Sequence, residues 1–232
     1  MKIKFNHALT VVLVLLSSSL SFSAYAREWD YVGLSYKYRY MPGRSSTTYA
    51  YSTYEVLPKI YNGAEAFYAH RFESDVGLQL GYEQSRSEQR THYFTNNEVF
   101  LGPTQHAGNY SVISNRIKAV QVDMVGFVDF LGHLEVIGQF GFSVMHAQMT
   151  GTLFANGVTT NLSPGKTYKA IPRFGLGLQY FFGKTPFGAR FLGTWEGTNY
   201  YRMNLTDEDG IRHTIRPFKQ SWCFTLGIVA KV

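Results

Sequence analysis

From residue 29 onward, apolar positions recur every second residue. In residues 29–41, Val32, Leu34, Tyr36, Tyr38 and Tyr40 share one parity, while Gly33, Ser35, Lys37 and Arg39 take the other. Successive side chains of an extended strand point to opposite faces, so the pattern predicts a strand with an apolar medium on one side and a narrow polar space on the other. Residues 61–72 repeat it, with Ala64, Ala66, Tyr68 and Phe72 against Gly63, Glu65 and Arg71, although Phe67 falls on the polar parity and His70 on the apolar one. Residues 76–86 set Val76, Leu78, Leu80 and Tyr82 against Gly77, Gln79, Gly81 and Glu83. Residues 116–130 set Val120, Val122, Met124 and Val128 against Ala119, Gln121 and Asp123, and residues 134–148 set Val136, Phe140, Phe142 and Val144 against Glu135, Gln139, Gly141 and Ser143.

The last three segments are the most regular. Residues 168–182 oppose Phe174, Leu176, Leu178 and Tyr180 to Arg173, Gly175, Gly177 and Gln179. Residues 187–202 oppose Phe187, Ala189, Phe191 and Trp195 to Gly188, Arg190, Thr194 and Glu196. Residues 218–232 oppose Phe218, Trp222, Phe224, Leu226 and Ile228 to Lys219, Ser221, Cys223, Thr225 and Gly227. These make eight strands, an even number.

Connection lengths alternate. Residues 73–75, 131–133 and 183–186 are tight turns, whereas residues 42–59, 91–115, 151–167 and 203–215 are long and polar. Short turns at one end and long loops at the other belong to a transmembrane barrel; a soluble β-sandwich, the competing fold, has no reason to sort its loops. Phe72, Phe130, Phe182 and Phe187 stand beside the tight turns, and Tyr36, Tyr38, Tyr40 and Trp195 toward the long loops. Aromatic rings favour the level of lipid headgroups, so the two sets read as girdles around an aliphatic band. The expected fold is an all-β, eight-stranded antiparallel up-and-down transmembrane barrel, closed because hydrocarbon offers no water to an unpaired backbone amide.

Composition agrees with this reading. The 232 residues include 17 Tyr, 18 Phe and 22 Gly, and charged residues make up only 16%. Lys2 and Lys4, the apolar run Ala8 to Leu16 and the small-x-small sequence Ala24-Tyr25-Ala26 read as a secretory signal peptide over residues 1–26, leaving a barrel domain over residues 27–232. The apolar run is too short for a membrane-spanning helix of ~20 residues. Without Lys2 and Lys4 the formal charge falls from +6 to about +4, and no basic run calls for nucleic acid. The single cysteine, Cys223, admits no internal disulfide.

An eight-stranded barrel has an interior that side chains can fill. The inward parity carries Lys37, Arg39, Glu65, Glu83, Asp123, Glu135, Arg173, Arg190, Glu196 and Lys219. Both signs in so narrow a space predict a network of salt bridges and hydrogen bonds; a polar conduction path is the alternative.

The run Ala170-Ile171-Pro172-Arg173-Phe174-Gly175-Leu176-Gly177-Leu178-Gln179-Tyr180-Phe181-Phe182, the end Phe224-Thr225-Leu226-Gly227-Ile228-Val229-Ala230-Lys231-Val232 and the segment Gly63-Ala64-Glu65-Ala66-Phe67-Tyr68-Ala69-His70-Arg71-Phe72 resemble the OmpA-like and opacity-type outer-membrane surface proteins. That resemblance implies location in a bacterial outer membrane and insertion by a barrel-assembly machine that reads the last strand. The family's last strand usually ends in Phe or Trp, and this sequence has Val232 there. Partners implied are outer-membrane lipids, lipopolysaccharide, and a host or cell-surface ligand met by the loops.

Eight-stranded barrels also include lipid-modifying enzymes. The deacylase type resembles a His-x-Ser pair, and none of His7, His70, His92, His106, His133, His146 and His213 is followed two residues later by Ser. Asp207, Glu208 and Asp209 lack the spacing of a Ca²⁺ loop. No cofactor or metal site and no catalytic residue is expected. The leading expectation is a structural or adhesive surface protein, with a narrow channel and a lipid-modifying enzyme as alternatives. In the longest loop Tyr93, Phe94, Phe100 and Tyr110 are the candidate contact residues, unless they extend the strands as a hairpin beyond the membrane.

Overall fold

Eight long strands carry the predicted alternation. The computed structural model describes residues 29–46, 52–53, 55–72, 75–100, 103–162, 167–206 and 212–232. The expected signal segment lies outside the described residues, as do Asp207, Glu208 and Asp209. The strands are β1 (Trp29–Tyr40), β2 (Ile60–Arg71), β3 (Val76–Ser85), β4 (Tyr110–Asp129), β5 (Leu134–Ala155), β6 (Tyr168–Phe181), β7 (Phe187–Glu196) and β8 (Ser221–Lys231). Each pairs antiparallel with its neighbour in sequence. The ring closes where β1 meets β8, from Tyr31 opposite Lys231 to Tyr40 opposite Trp222.

The two parities separate as the alternation requires. Outward residues such as Leu176, Leu226, Ile228, Met124 and Phe140 are more than half exposed, while their inward neighbours Gln179, Cys223 and Asp123 are fully buried. A continuous belt of exposed aliphatic and aromatic side chains around a closed barrel is stable in hydrocarbon and untenable in water. At the tight-turn end Phe130, Phe182 and Phe187 are exposed and form the expected girdle. The turns close with short backbone bonds, Phe72 N to Val76 O at 2.8 Å, Phe130 N to Leu134 O at 2.8 Å and Phe182 N to Phe187 O at 2.9 Å.

The loop side differs from the sequence expectation in several places. β4 and β5 run well past residues 116–130 and 134–148, because part of the long second and third loops is itself sheet. An arm, Glu88–Tyr93, continues β3 after a break at Arg86 and Ser87 and pairs with the top of β4 from Glu88 opposite Asn115 to Tyr93 opposite Tyr110. β5 reverses at Asn156-Gly157 and returns as Val158–Leu162, with Ala155 opposite Val158. Both turn residues have positive φ, 52° and 81°, the geometry of a two-residue hairpin that Asn-Gly favours. β7 stops at Glu196 rather than near residue 202, because the chain enters a short 3-10 turn, Thr198–Tyr200, and turns Tyr201 into the barrel mouth.

Candidate functional site

The lumen has three layers, each built from inward positions of several strands. At the tight-turn end, Tyr31, Phe67, Ala69, Val125, Phe127, Ile137, Phe181 and Val229 form an apolar plug. Tyr31 stacks on Phe127 with ring centroids 5.3 Å apart. Phe67, the residue that broke the parity rule, lies across Gly33, and a Cβ there would collide with its ring. Below this plug Arg71 reaches Glu135 at 3.1 Å and Asp75 at 2.5 Å, and Lys231 lies 3.7 Å from Glu135.

The middle layer is charged. Lys37 and Arg39 stand two residues apart on β1 and therefore share a face. Lys37 Nζ lies 2.9 Å from Glu65 of β2, 2.8 Å from Glu83 of β3 and 3.7 Å from Glu196 of β7. Arg39 donates to Glu83 at 2.8 Å and also to Glu196 on the opposite side of the ring. Gln121 adds a bond to Glu83 at 3.0 Å. Arg173 lies 3.6 Å from Asp123, and Arg190 stacks over the Phe67 ring at 4.4 Å. These side chains are all essentially buried. Several buried nitrogens of Arg173 and Arg190, and both Asp123 oxygens, have no protein hydrogen-bond partner. Buried polar groups are in general hydrogen-bonded, either to protein or to ordered water. Charges that bridge four strands lock the register of the ring, because each partner must arrive at one level.

The loop end is capped by a second apolar core. Val56, Leu57 and Phe218 come from connections, Phe94 and Phe100 from the second loop, Leu162 from the third and Tyr201 from the fourth. They pack on Met41, Ile113, Ile117, Met145 and Ile171 from strand ends. Tyr201 Oη accepts from Ala147 N at 3.1 Å and donates to Thr167 O at 3.0 Å, and its burial pushes the phenol up to about 12. On the outside, a shallow cleft of about 420 Å³ opens where Gly126 faces Gly138, lined by Met124, Phe140, Phe174 and Leu176. It lies within the apolar belt and has the character of a lipid contact.

The sequence of this chain matches no family model and no curated protein. Solved structures that align with it include outer-membrane proteins. The Neisserial surface protein A structure aligns with a TM-score of 0.48 at 7% identity, over 88% of this chain and 97% of that one. The attachment invasion locus protein Ail of Yersinia pestis, solved with the heparin analogue sucrose octasulfate, aligns with a TM-score of 0.44 at 12% identity, over 88% and 99%. The outer-membrane protease OmpT from Escherichia coli aligns with a TM-score of 0.44 at 11% identity, over 88% and 96%. What this chain does has to be read from its own residues.

The structure places Lys37, Arg39, Glu65, Glu83, Asp123, Glu135, Arg173, Arg190 and Glu196 inside the barrel. Lys219 is a correction: it is exposed, since β8 begins only at Ser221 and the parity rule does not extend beyond the strand. Phe94 and Phe100 are corrections too. They are 3% and 2% exposed, because the second loop folds back and uses them to cover the lumen, with their rings 5.7 Å apart. Tyr93 is 71% exposed and Tyr110 partly so, their rings 5.9 Å apart on the outer face of the arm. The two layers of apolar plug went unpredicted. Phe67 was the visible signal for the lower one, and the apolar pair Val56-Leu57 in an otherwise polar loop was the signal for the upper one. His146 has the predicted outward parity, but stacking on Tyr168 at 4.6 Å buries it.

Proposed function

We propose that this chain is a bacterial outer-membrane surface protein whose barrel is a closed scaffold and whose loop crown is the working surface for a cell-surface or host partner. One observation carries this reading. The loops turn Val56, Leu57, Phe94, Phe100, Leu162, Tyr201 and Phe218 inward as an apolar lid, while Tyr93 and Tyr200 face outward. A lid that shares a core with the strand ends holds the loop surface in one shape, which lowers the ordering cost of binding. The same lid and the plug below it block a conduction path at two levels. We place a cleaved export signal in residues 1–26 and the barrel in residues 27–232.

The test has two parts. The expressed protein should fractionate with outer membranes and migrate at a different apparent size before and after boiling; recovery as a soluble periplasmic protein excludes the barrel. Replacing residues 91–109 by a tight turn should leave heat-modifiable migration intact and abolish binding to whole-cell or glycan arrays. Undiminished binding by the shortened chain would remove the second loop from the working surface.

A further inference from the structure

The arm Glu88–Tyr93, the upper parts of β4 and β5 and the returning strand Val158–Leu162 form a four-stranded sheet that stands above the apolar belt. Its outermost row of outward side chains is Tyr93, Tyr110, Phe154 and Thr159, level with one another by register. Tyr110 lies roughly 33 Å of strand beyond Val120, where the belt ends on β4. Even with the strand tilt of a barrel, this carries the row well past the polar layer of a bilayer, so the girdle argument does not account for it. The rings are already arranged. Tyr93 and Tyr110 have centroids 5.9 Å apart, and Tyr110 stacks on Phe154 at 5.0 Å with planes 22° apart.

Two further rows lie beneath. Thr91, Val112, Thr152 and Asn161 make the second, and Gln89, Ser114 and Thr150 the third. No side chain of the three rows carries a charge, in a chain with 22 basic and 16 acidic residues. The arm's ionisable residues Glu88, Arg90 and His92 take the opposite parity, paired with Asn115, Ile113 and Ser111. The first charged residue of outward parity on β4 is Arg116, below these rows. An anionic ligand finds no cation on this face and a cationic one no carboxylate, so charge complementarity selects a neutral partner. An apolar protein patch would leave the hydroxyls and carboxamides of the lower rows without hydrogen bonds. A sugar ring fits both parts. Its C–H face suits the electronegative face of an aromatic ring, and its hydroxyls both donate and accept, as Thr, Ser, Asn and Gln do. Tyrosine has few torsions to order, and here each ring is also held by its neighbour, which lowers the cost of binding.

We propose that this sheet face binds an uncharged glycan presented by another cell, with sugar rings lying along Tyr93, Tyr110 and Phe154 and their hydroxyls meeting Thr91, Thr152 and Asn161. The aromatic row is the one farthest from the chain's own membrane, which is why the glycan is assigned to a facing surface. The proposal rests on the reading of the chain as an outer-membrane protein with its loops outside, and gives that working surface a partner class. The full chain is folded into phosphatidylcholine nanodiscs and titrated calorimetrically with neutral hexasaccharides of glucose, mannose, galactose and N-acetylglucosamine, and with hexagalacturonate as the anionic counterpart. The wild type should bind at least one neutral series and not hexagalacturonate. Tyr93→Ala and Tyr110→Ala should each weaken that binding about tenfold, the upper worth of one aromatic contact, while Tyr93→Phe keeps it. Thr152→Val should weaken it about fivefold through the loss of one hydroxyl. Phe130→Ala, in the girdle at the opposite end, should bind as wild type. Preference for the anionic chain, no binding to any neutral series, or unchanged binding by both alanine variants would overturn the proposal. Purified lipopolysaccharide is titrated in parallel, and binding confined to it would also overturn the proposal. Heat-modifiable migration is scored on every variant: a shifting barrel that binds whole cells but no neutral sugar defeats this proposal alone, whereas absence of the shift in the wild type defeats the barrel reading.

Discussion

Arg39 reaches across the lumen to Glu83 on one side and Glu196 on the other, and Lys37 holds Glu65 and Glu83 beneath it. Removing the guanidinium leaves two carboxylates facing each other in a space closed by apolar layers. Truncating one member of a buried charged set costs about 3–5 kcal/mol, much of it the penalty of stranding the partner. Arg39→Ala should lose stability on that scale in urea unfolding from lipid vesicles, and the double variant Arg39→Met, Glu83→Met should recover part of it; equal loss in both would mean that the charges contribute nothing to each other. The two faces of a strand differ as sharply. Leu176, 69% exposed, points into the belt, and Arg at that position should cost about 2–4 kcal/mol if it lies near the bilayer midplane. Gln179→Arg places the charge beside Glu135, which already accepts from Gln179 at 2.9 Å, and should cost less. An equal cost at the two sites would contradict the assignment of faces.

At the scale of elements, the loop side is more ordered than its polar composition implies. The hairpin at Asn156-Gly157 sets the register of the β5 extension, and Gly157 has φ near 81°, a conformation that costs a residue with a Cβ roughly 1–2 kcal/mol. Gly157→Val should therefore loosen residues 151–162, seen as faster amide exchange there, while β5 below residue 148 keeps its protection. The second loop is held differently, by Phe94 and Phe100 packed into the cap. Phe100→Ala should destabilise the cap by about 3–5 kcal/mol, the usual cost of emptying a buried aromatic site. The amides of residues 94–109 should lose protection without loss of the barrel spectrum in far-ultraviolet circular dichroism. Retained protection would show that the arm paired with β4, and not the cap, orders this loop.

Across the described residues, the layers combine into a barrel with apolar clusters at both ends and charges in the middle. Among the described residues, Arg173, Arg190 and Asp123 lie between two apolar layers, with Tyr31, Phe127 and Phe181 below and Phe100 and Tyr201 above. Planar bilayers carrying the wild-type protein should show no discrete current steps. Steps that persist in the wild type and vanish in Arg190→Ala would favour the channel reading instead.

The period-two alternation by itself determined the eight strands, which residues face lipid, and nine charged residues of the lumen, because a strand two side chains thick reports its two environments residue by residue. Gln79, Asp123 and Arg173 needed no fold to be placed, only a parity. Which charges meet was a matter for the tertiary structure alone. Lys37 and Arg39 find Glu65, Glu83 and Glu196 because strand tilt and ring closure bring distant parts of the chain to one level, and a one-dimensional pattern holds no information about that level. The loops were illegible for a related reason. Outside the strands no period constrains the side chains, so whether Phe94 and Phe100 face water or cover a lumen depended on the lumen's mouth, which exists only once the barrel has closed.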